Sequence, residues 1–289
     1  RAGNHPQILP KSLFVKHVIL IDSHVHIYDC FEVDRLLTAV YDNFSTAAKR
    51  DFRAEFFSGV LLLAETSRDH WFEKLALKAN EIGRGSAWRF YKTGEDGALC
   101  AKSGEKQLFL VAGRQIVTAE NLEVLALLTR NTYADGCPID EVLDVVTRQG
   151  AIPVIPWGAG KWLGEKGRLL NCLLEHRPKT FLLGDNGGRP CFWKNPEHFK
   201  TATKKGIRIL PGSDPLPFQE EAMRVAAFGA GCEAVMDDAQ PGKTIKNLIE
   251  ASDAKFVPYG VLESPVRFFR NQVAMQLVKR NRRKESAPV

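Results

Sequence analysis

His24 and His26, one residue apart, are the side chains here whose type and spacing best suit chemistry. They close the stretch V-I-L-I-D-S-H-V-H, in which residues 18–21 form an unbroken apolar run. Side chains alternate along an extended strand, so two imidazoles two residues apart point the same way. Neutral imidazoles converging at a strand end can ligate one divalent ion of the zinc, iron or manganese type. The competing reading is a histidine pair satisfied by backbone hydrogen bonds. The buried run before the pair, and the acids at later strand ends, favour the metal.

Those acids are Glu65 after G-V-L-L-L-A, Glu123 at the start of E-V-L-A-L-L, Asp185 in G-D-N-G-G-R, and Asp214 in P-G-S-D-P. With His24 and His26 they make up the expected metal-ligating set. Asp214 is the strongest of them, because a turn before it and a proline after it restrict its backbone. A carboxylate after an apolar run is otherwise a helix cap or a loop ion pair. Lys161, Arg168 and Arg189 follow neighbouring strand ends and would form a cationic rim for an anionic substrate, arginine forks suiting phosphate and carboxylate alike. Trp157 would wall the pocket, or pack in the core.

These residues must be carried by a scaffold, and its rhythm is legible. Apolar runs at 18–21, 57–66, 108–111, 115–117, 123–128, 151–156, 180–183 and 207–210 read as strands. The runs 108–111 and 115–117 are expected to pair across Gly113. Helical spacing predicts helices at 31–44, 69–82, 140–148, 168–176, 196–205 and 220–228, and the segment 83–104 is rich in Gly, Ser and polar residues. Short strands alternating with helices predict an α/β protein with a TIM-like, distorted (β/α) barrel of about seven mostly parallel strands, its site at the strands' C-terminal ends. Residues 1–16 read as an irregular lead-in, 17–275 as one barrel domain and 276–289 as a basic C-terminal tail.

The bulk numbers narrow the functional class. The chain has 289 residues, 44% of them hydrophobic, which supplies a sizeable core. Part of its net charge of +6 is concentrated between Lys279 and Lys284. No nucleic-acid motif or aromatic platform accompanies that cluster, so nucleic acid is not expected as a partner. No apolar run approaches the ~20 residues of a membrane span. The six cysteines form no C-x-x-C pair, the usage of a reduced, cytoplasmic protein.

D-S-H-V-H on the first strand and G-S-D on a late one resemble the metal-dependent hydrolases of barrel fold. L-E-V-L-A-L around Glu123, G-A-I-P-V-I-P-W-G and P-G-S-D-P-L extend the resemblance toward the PHP (polymerase and histidinol phosphatase) superfamily over residues 18–230. The amidohydrolase superfamily is the related alternative. The PHP pattern has histidine where this chain has Trp157 and Leu216, so the resemblance implies one or two ions. It implies a phosphoesterase acting on a small anionic molecule, in which Asp214, His26 and Lys161 act on the reacting groups. An amidohydrolase-like site would take an amide, lactone or carboxylate. A degenerate site would bind a ligand without turning it over.

Overall fold

Apolar runs become strands buried on both faces, and the faces separate with period two. In a computed structural model, which describes residues 17–79 and 86–285, the first strand is β1 (His17–Val25) and the second β2 (Phe56–Leu63). Val18, Leu20, Leu61 and Leu63 pack against helices, while Ile19, Ile21, Val60 and Leu62 face a second sheet. The remaining strands are β3 (Arg89–Lys92), β4 (Ala98–Ser103), β5 (Lys106–Val111), β6 (Gly113–Val117), β7 (Glu123–Leu127), β8 (Ile152–Pro156), β9 (Leu182–Asn186), β10 (Ile209–Gly212), β11 (Gly229–Cys232) and β12 (Val257–Tyr259).

They form two sheets, a seven-stranded one in the order β12-β11-β1-β2-β5-β4-β3 and a five-stranded one in the order β10-β9-β8-β7-β6. Six of the ten ladders are antiparallel and four parallel. The expected barrel of mostly parallel strands is therefore not the architecture: among the described residues the chain forms two mixed sheets with no closed barrel. A strand buried on both faces reads the same in either direction, so apolar runs could not reveal the pairing. Connection length could. Residues 118–122 between β6 and β7 are too few for a parallel crossover, which needs about a dozen. The segment 83–104, rich in Gly, Ser and polar residues, holds β3 and β4. Nor do β5 and β6 pair: Ala112 lies between them, and they enter different sheets.

Helices cover the outer faces. On the first sheet lie α1 (Val33–Ala47), which buries Leu36, Leu37, Val40 and Phe44, and α2 (Trp71–Leu77), which buries Phe72 and Leu75. On the second sheet lie α3 (Ile139–Arg148), α4 (Gly164–His176) and α5 (Glu197–Lys204). Ile245 and Ile249 of α6 (Pro241–Glu250) join the layer between the sheets. Where a helix is expected at 220–228, Gln219–Arg224 form a 3-10 helix instead. The helix α7 (Pro265–Glu285) ends the described chain and runs into the expected tail. The lead-in 1–16, the end of the tail and residues 80–82 of the second expected helix lie outside the described residues. Among the described residues no helix is long and apolar enough to cross a membrane.

The sheets meet at two seams, each passing over a glycine. At Gly212 of β10 a Cβ would stand 2.4 Å from the backbone nitrogen of His24, and at Gly113 of β6 it would stand 2.3 Å from the Leu63 oxygen. Backbones can approach this closely only where a side chain is missing. Ser23 Oγ donates to the Pro211 carbonyl at 2.8 Å across the first seam. Glu65 bridges to Arg114 across the second, where the Gln115 amide donates to the Glu65 carbonyl at 2.8 Å.

Candidate metal centre

Up to Asp22, even-numbered residues of β1 face the helical layer. A register shift between Asp22 and Val25 then reverses the alternation, and Val25 and Ile27 take over the helical side. A bulge of this kind re-aims side chains. Its effect is to turn His24 and His26 toward the first seam. Asp22 holds the bulge: its carboxylate accepts from the backbone N–H groups of His24 (3.2 Å), Ser213 (2.8 Å) and Ala226 (2.8 Å). It is fully buried, and burial pushes its carboxyl up to about 6.

His24 Nε2 and His26 Nε2 stand 3.1 Å apart. Asp214 Oδ1 lies 3.6 Å from the first and 3.7 Å from the second. One ligand atom from each of the three falls within 4.8 Å of the others. Asp214 reaches this place from a left-handed backbone, φ 45°, just past the end of β10. Non-glycine residues rarely adopt that region, and they do so chiefly at functional sites. Asn186 Nδ2 donates to its second oxygen, and the Asn186 Oδ1 accepts from the Gly188 N–H at 2.6 Å, so the carboxylate is oriented by a fixed amide.

The donor set fits a divalent ion. Two nitrogens on one tetrahedral ion at ordinary bond lengths stand ~3.3 Å apart, close to the spacing found. Both Nδ1 atoms are buried without a hydrogen-bond partner among the described residues. Burial lowers the His24 pKa to about 4, the Glu123 charge partly opposing it, and burial beside His24 lowers that of His26. Both imidazoles are thus neutral at physiological pH, the form that ligates. Burial raises Asp214 to about 6, against the pull of His26.

Of the other residues expected at the site, Glu123 and Trp157 come near it, and Lys161 with Glu123. The antiparallel register Leu125 to Val154 brings the start of β7 level with the end of β8, so Glu123 arrives from the opposite end of its strand. Its Oε1 accepts from Lys161 Nζ at 2.9 Å. Trp157 is buried, packs edge-on to Trp193 and lines a cleft beside Asp214. Glu65 stands elsewhere, at the second seam, with Oε2 on Arg114 Nη1 (2.8 Å) and Oε1 on the Phe72 N–H (2.5 Å) at the start of α2. Asp185 is chelated by Arg189 at 2.7 Å through both oxygens, and Arg189 also donates to the Trp193 and Lys194 carbonyls. Arg168 is exposed on α4, near Glu165. No distinctive motif marked Gln115, whose Oε1 lies 3.3 Å from His24 Nε2, and the buried Asp22, the first residue of D-S-H-V-H, was given no role of its own. The alternation of β6, with Gly113 at the seam and Gln115 two residues on, is the signal that could have found the former.

No protein-family model and no curated protein sequence matches the chain. Solved structures do. The crystal structure of PsfC from Pseudomonas syringae PB-5123 superposes with a TM-score of 0.55 over 91% of this chain and 99% of its own, at 14% identity. The fold is similar to that of PsfC. The likeness to PsfC extends over nearly the whole of both chains, and at this identity it is a likeness of fold alone. The lesion-specific endonuclease PfuEndoQ from Pyrococcus furiosus also aligns, with TM-score 0.49, 11% identity, and 84% of this chain against 59% of that one. Endonuclease Q in complex with a 27-mer duplex substrate carrying an abasic lesion gives 0.47, 11%, 85% and 60%.

Proposed function

We propose that the chain is a metal-dependent hydrolase of a phosphoester, holding one divalent ion on His24 Nε2, His26 Nε2 and Asp214 Oδ1. The observation that carries this reading is the convergence of those three atoms at 3.1 to 3.7 Å. Two imidazoles and a carboxylate suit zinc, manganese or iron. A divalent ion bound there supplies Lewis acidity, which lowers the pKa of water and polarises a scissile bond.

The chain's own groups supply the rest. Asp214 would hold the ion through Oδ1, beside the two imidazoles. Asn186 keeps its second oxygen in place. Lys161, tied to Glu123 with its side chain 28% exposed, offers an ammonium to an incoming anion. Glu65, Glu123 and Asp185 are each neutralised by a basic side chain, Arg114, Lys161 and Arg189. That compensation supports one ion rather than two. The PHP-like motifs around His24 and Asp214 favour a phosphoester over the amide or lactone of an amidohydrolase-like site.

The test is metal content followed by a phosphatase and esterase screen. Protein purified without chelator should carry about one equivalent of zinc, manganese or iron, and His24→Ala should lose both the metal and the hydrolysis. Full activity in metal-stripped protein would sink the reading. Metal-free protein that gains no activity with added zinc or manganese would instead favour a ligand-binding protein.

A further inference from the structure

The cleft beside Asp214 runs from Trp157 and Asn186 to a roof made by α7, which contributes Phe268, Asn271 and Gln272 from one helical face. Its volume is about 120 Å³, below the ~300 Å³ at which pockets for drug-sized ligands begin. The roof is latched. Arg267 Nη2 pairs with Glu221 at 2.7 Å and Arg224 Nη1 with Glu263 at 2.5 Å, so two arginines and two buried glutamates cancel at this wall. The Glu263 backbone ties the approach to α7 to the loop after β9, its carbonyl accepting from Cys191 and its N–H donating to Arg189.

Asn271 stands out on this roof. It is 7% exposed, lines the cleft, and its carboxamide makes no hydrogen bond among the described residues. A carboxamide both donates and accepts, and one that lines a cleft without a protein partner is free to pair with a ligand there.

We propose that the cleft is the leaving-group subsite and that Asn271 selects small phosphoesters whose alcohol carries a neutral hydroxyl or carbonyl, as a polyol phosphate does. The inference rests on the reading of the site as a phosphoester hydrolase. The cancelled charges set the neutrality, the volume sets the size, and the free amide sets the hydrogen-bonding group. Gln272 lines the cleft next to Asn271 and can serve a second hydroxyl.

The experiment compares glycerol 3-phosphate with n-propyl phosphate, which keeps the carbon skeleton and lacks the hydroxyls. Dissociation constants are measured by calorimetry on full-length, manganese-supplemented protein, wild type and Asn271→Leu, and phosphate release is followed separately. Wild type should bind glycerol 3-phosphate at least tenfold more tightly than propyl phosphate, and Asn271→Leu should bring the two within twofold. Equal affinities in wild type, or an unchanged preference in the folded variant, would overturn the subsite. The wild-type ratio decides even where the variant does not fold. Absence of metal or of phosphate release counts against the hydrolase reading and leaves the binding ratio readable.

Discussion

The backbone N–H of Asp214 donates to the carbonyl of His24 at 2.9 Å. That bond crosses from the end of one sheet to the end of the other. It sets the carboxylate against two imidazoles from a strand almost two hundred residues earlier. The candidate metal centre is thus a property of the seam rather than of either sheet, which is what the following predictions exploit.

Metal affinity should fall with pH because of Asp214 rather than the histidines. Its carboxyl is raised to about 6, while His24 is lowered to about 4. A ligand must be deprotonated to bind, so metal uptake at pH 5 should release close to one proton, and at pH 7.5 almost none from these residues. Calorimetry in buffers of different ionisation enthalpy measures this. Asp214→Asn should abolish the release at pH 5, and its persistence would assign the proton elsewhere.

Glu65 and Asp185 are each paired with an arginine, from which a scaffold role is expected. Glu65→Gln and Asp185→Asn should keep the metal stoichiometry of wild type. Arg114→Met, which leaves Glu65 buried and uncompensated, should destabilise the fold by about 3–5 kcal/mol. Chemical denaturation and metal analysis check both, and loss of metal in Glu65→Gln would make Glu65 a ligand.

Asp22 ties three backbone N–H groups, so Asp22→Ala should cost on the order of 3 kcal/mol. Its carboxyl is about 6 in the fold against an ordinary 3.8. The folded state therefore binds the extra proton between those values, and this group's contribution to stability declines as pH rises from about 4 to about 6. Asp22→Asn should flatten part of that slope in denaturation curves recorded with chelator present. An unchanged slope would show that Asp22 titrates normally.

Gly212→Ala should disturb the site without touching a ligand. The new Cβ would stand 2.4 Å from the His24 nitrogen and 2.5 Å from its Cβ. Both atoms are held in β1, so the seam must open, and metal affinity should drop together with thermal stability. Wild-type affinity in this variant would mean that the seam does not set the ligand spacing.

Much of the centre was legible in the sequence. An apolar run followed by H-x-H, and a turn-and-proline frame around Asp214, are local signals of a strand end and a restricted backbone. They pointed to the three side chains that converge. Glu65 and Asp185 carried the same local signal, a carboxylate after an apolar run, and went elsewhere. Arg114, 49 residues on in β6 in the first case, and Arg189, four residues on in the second, occupy them.

Local pattern by itself determined that the strands are buried on both faces, that helices cover them, and that His24, His26 and Asp214 stand at strand ends. Tertiary structure decided the direction of the strands and the division into two sheets, because a continuous apolar run carries no directional information. It also decided the aim of the histidines. Strict alternation would have sent them, with Val18 and Leu20, into the helical layer. The bulge after Asp22 reverses the alternation, and it is held by hydrogen bonds to Ser213 and Ala226 from distant parts of the chain.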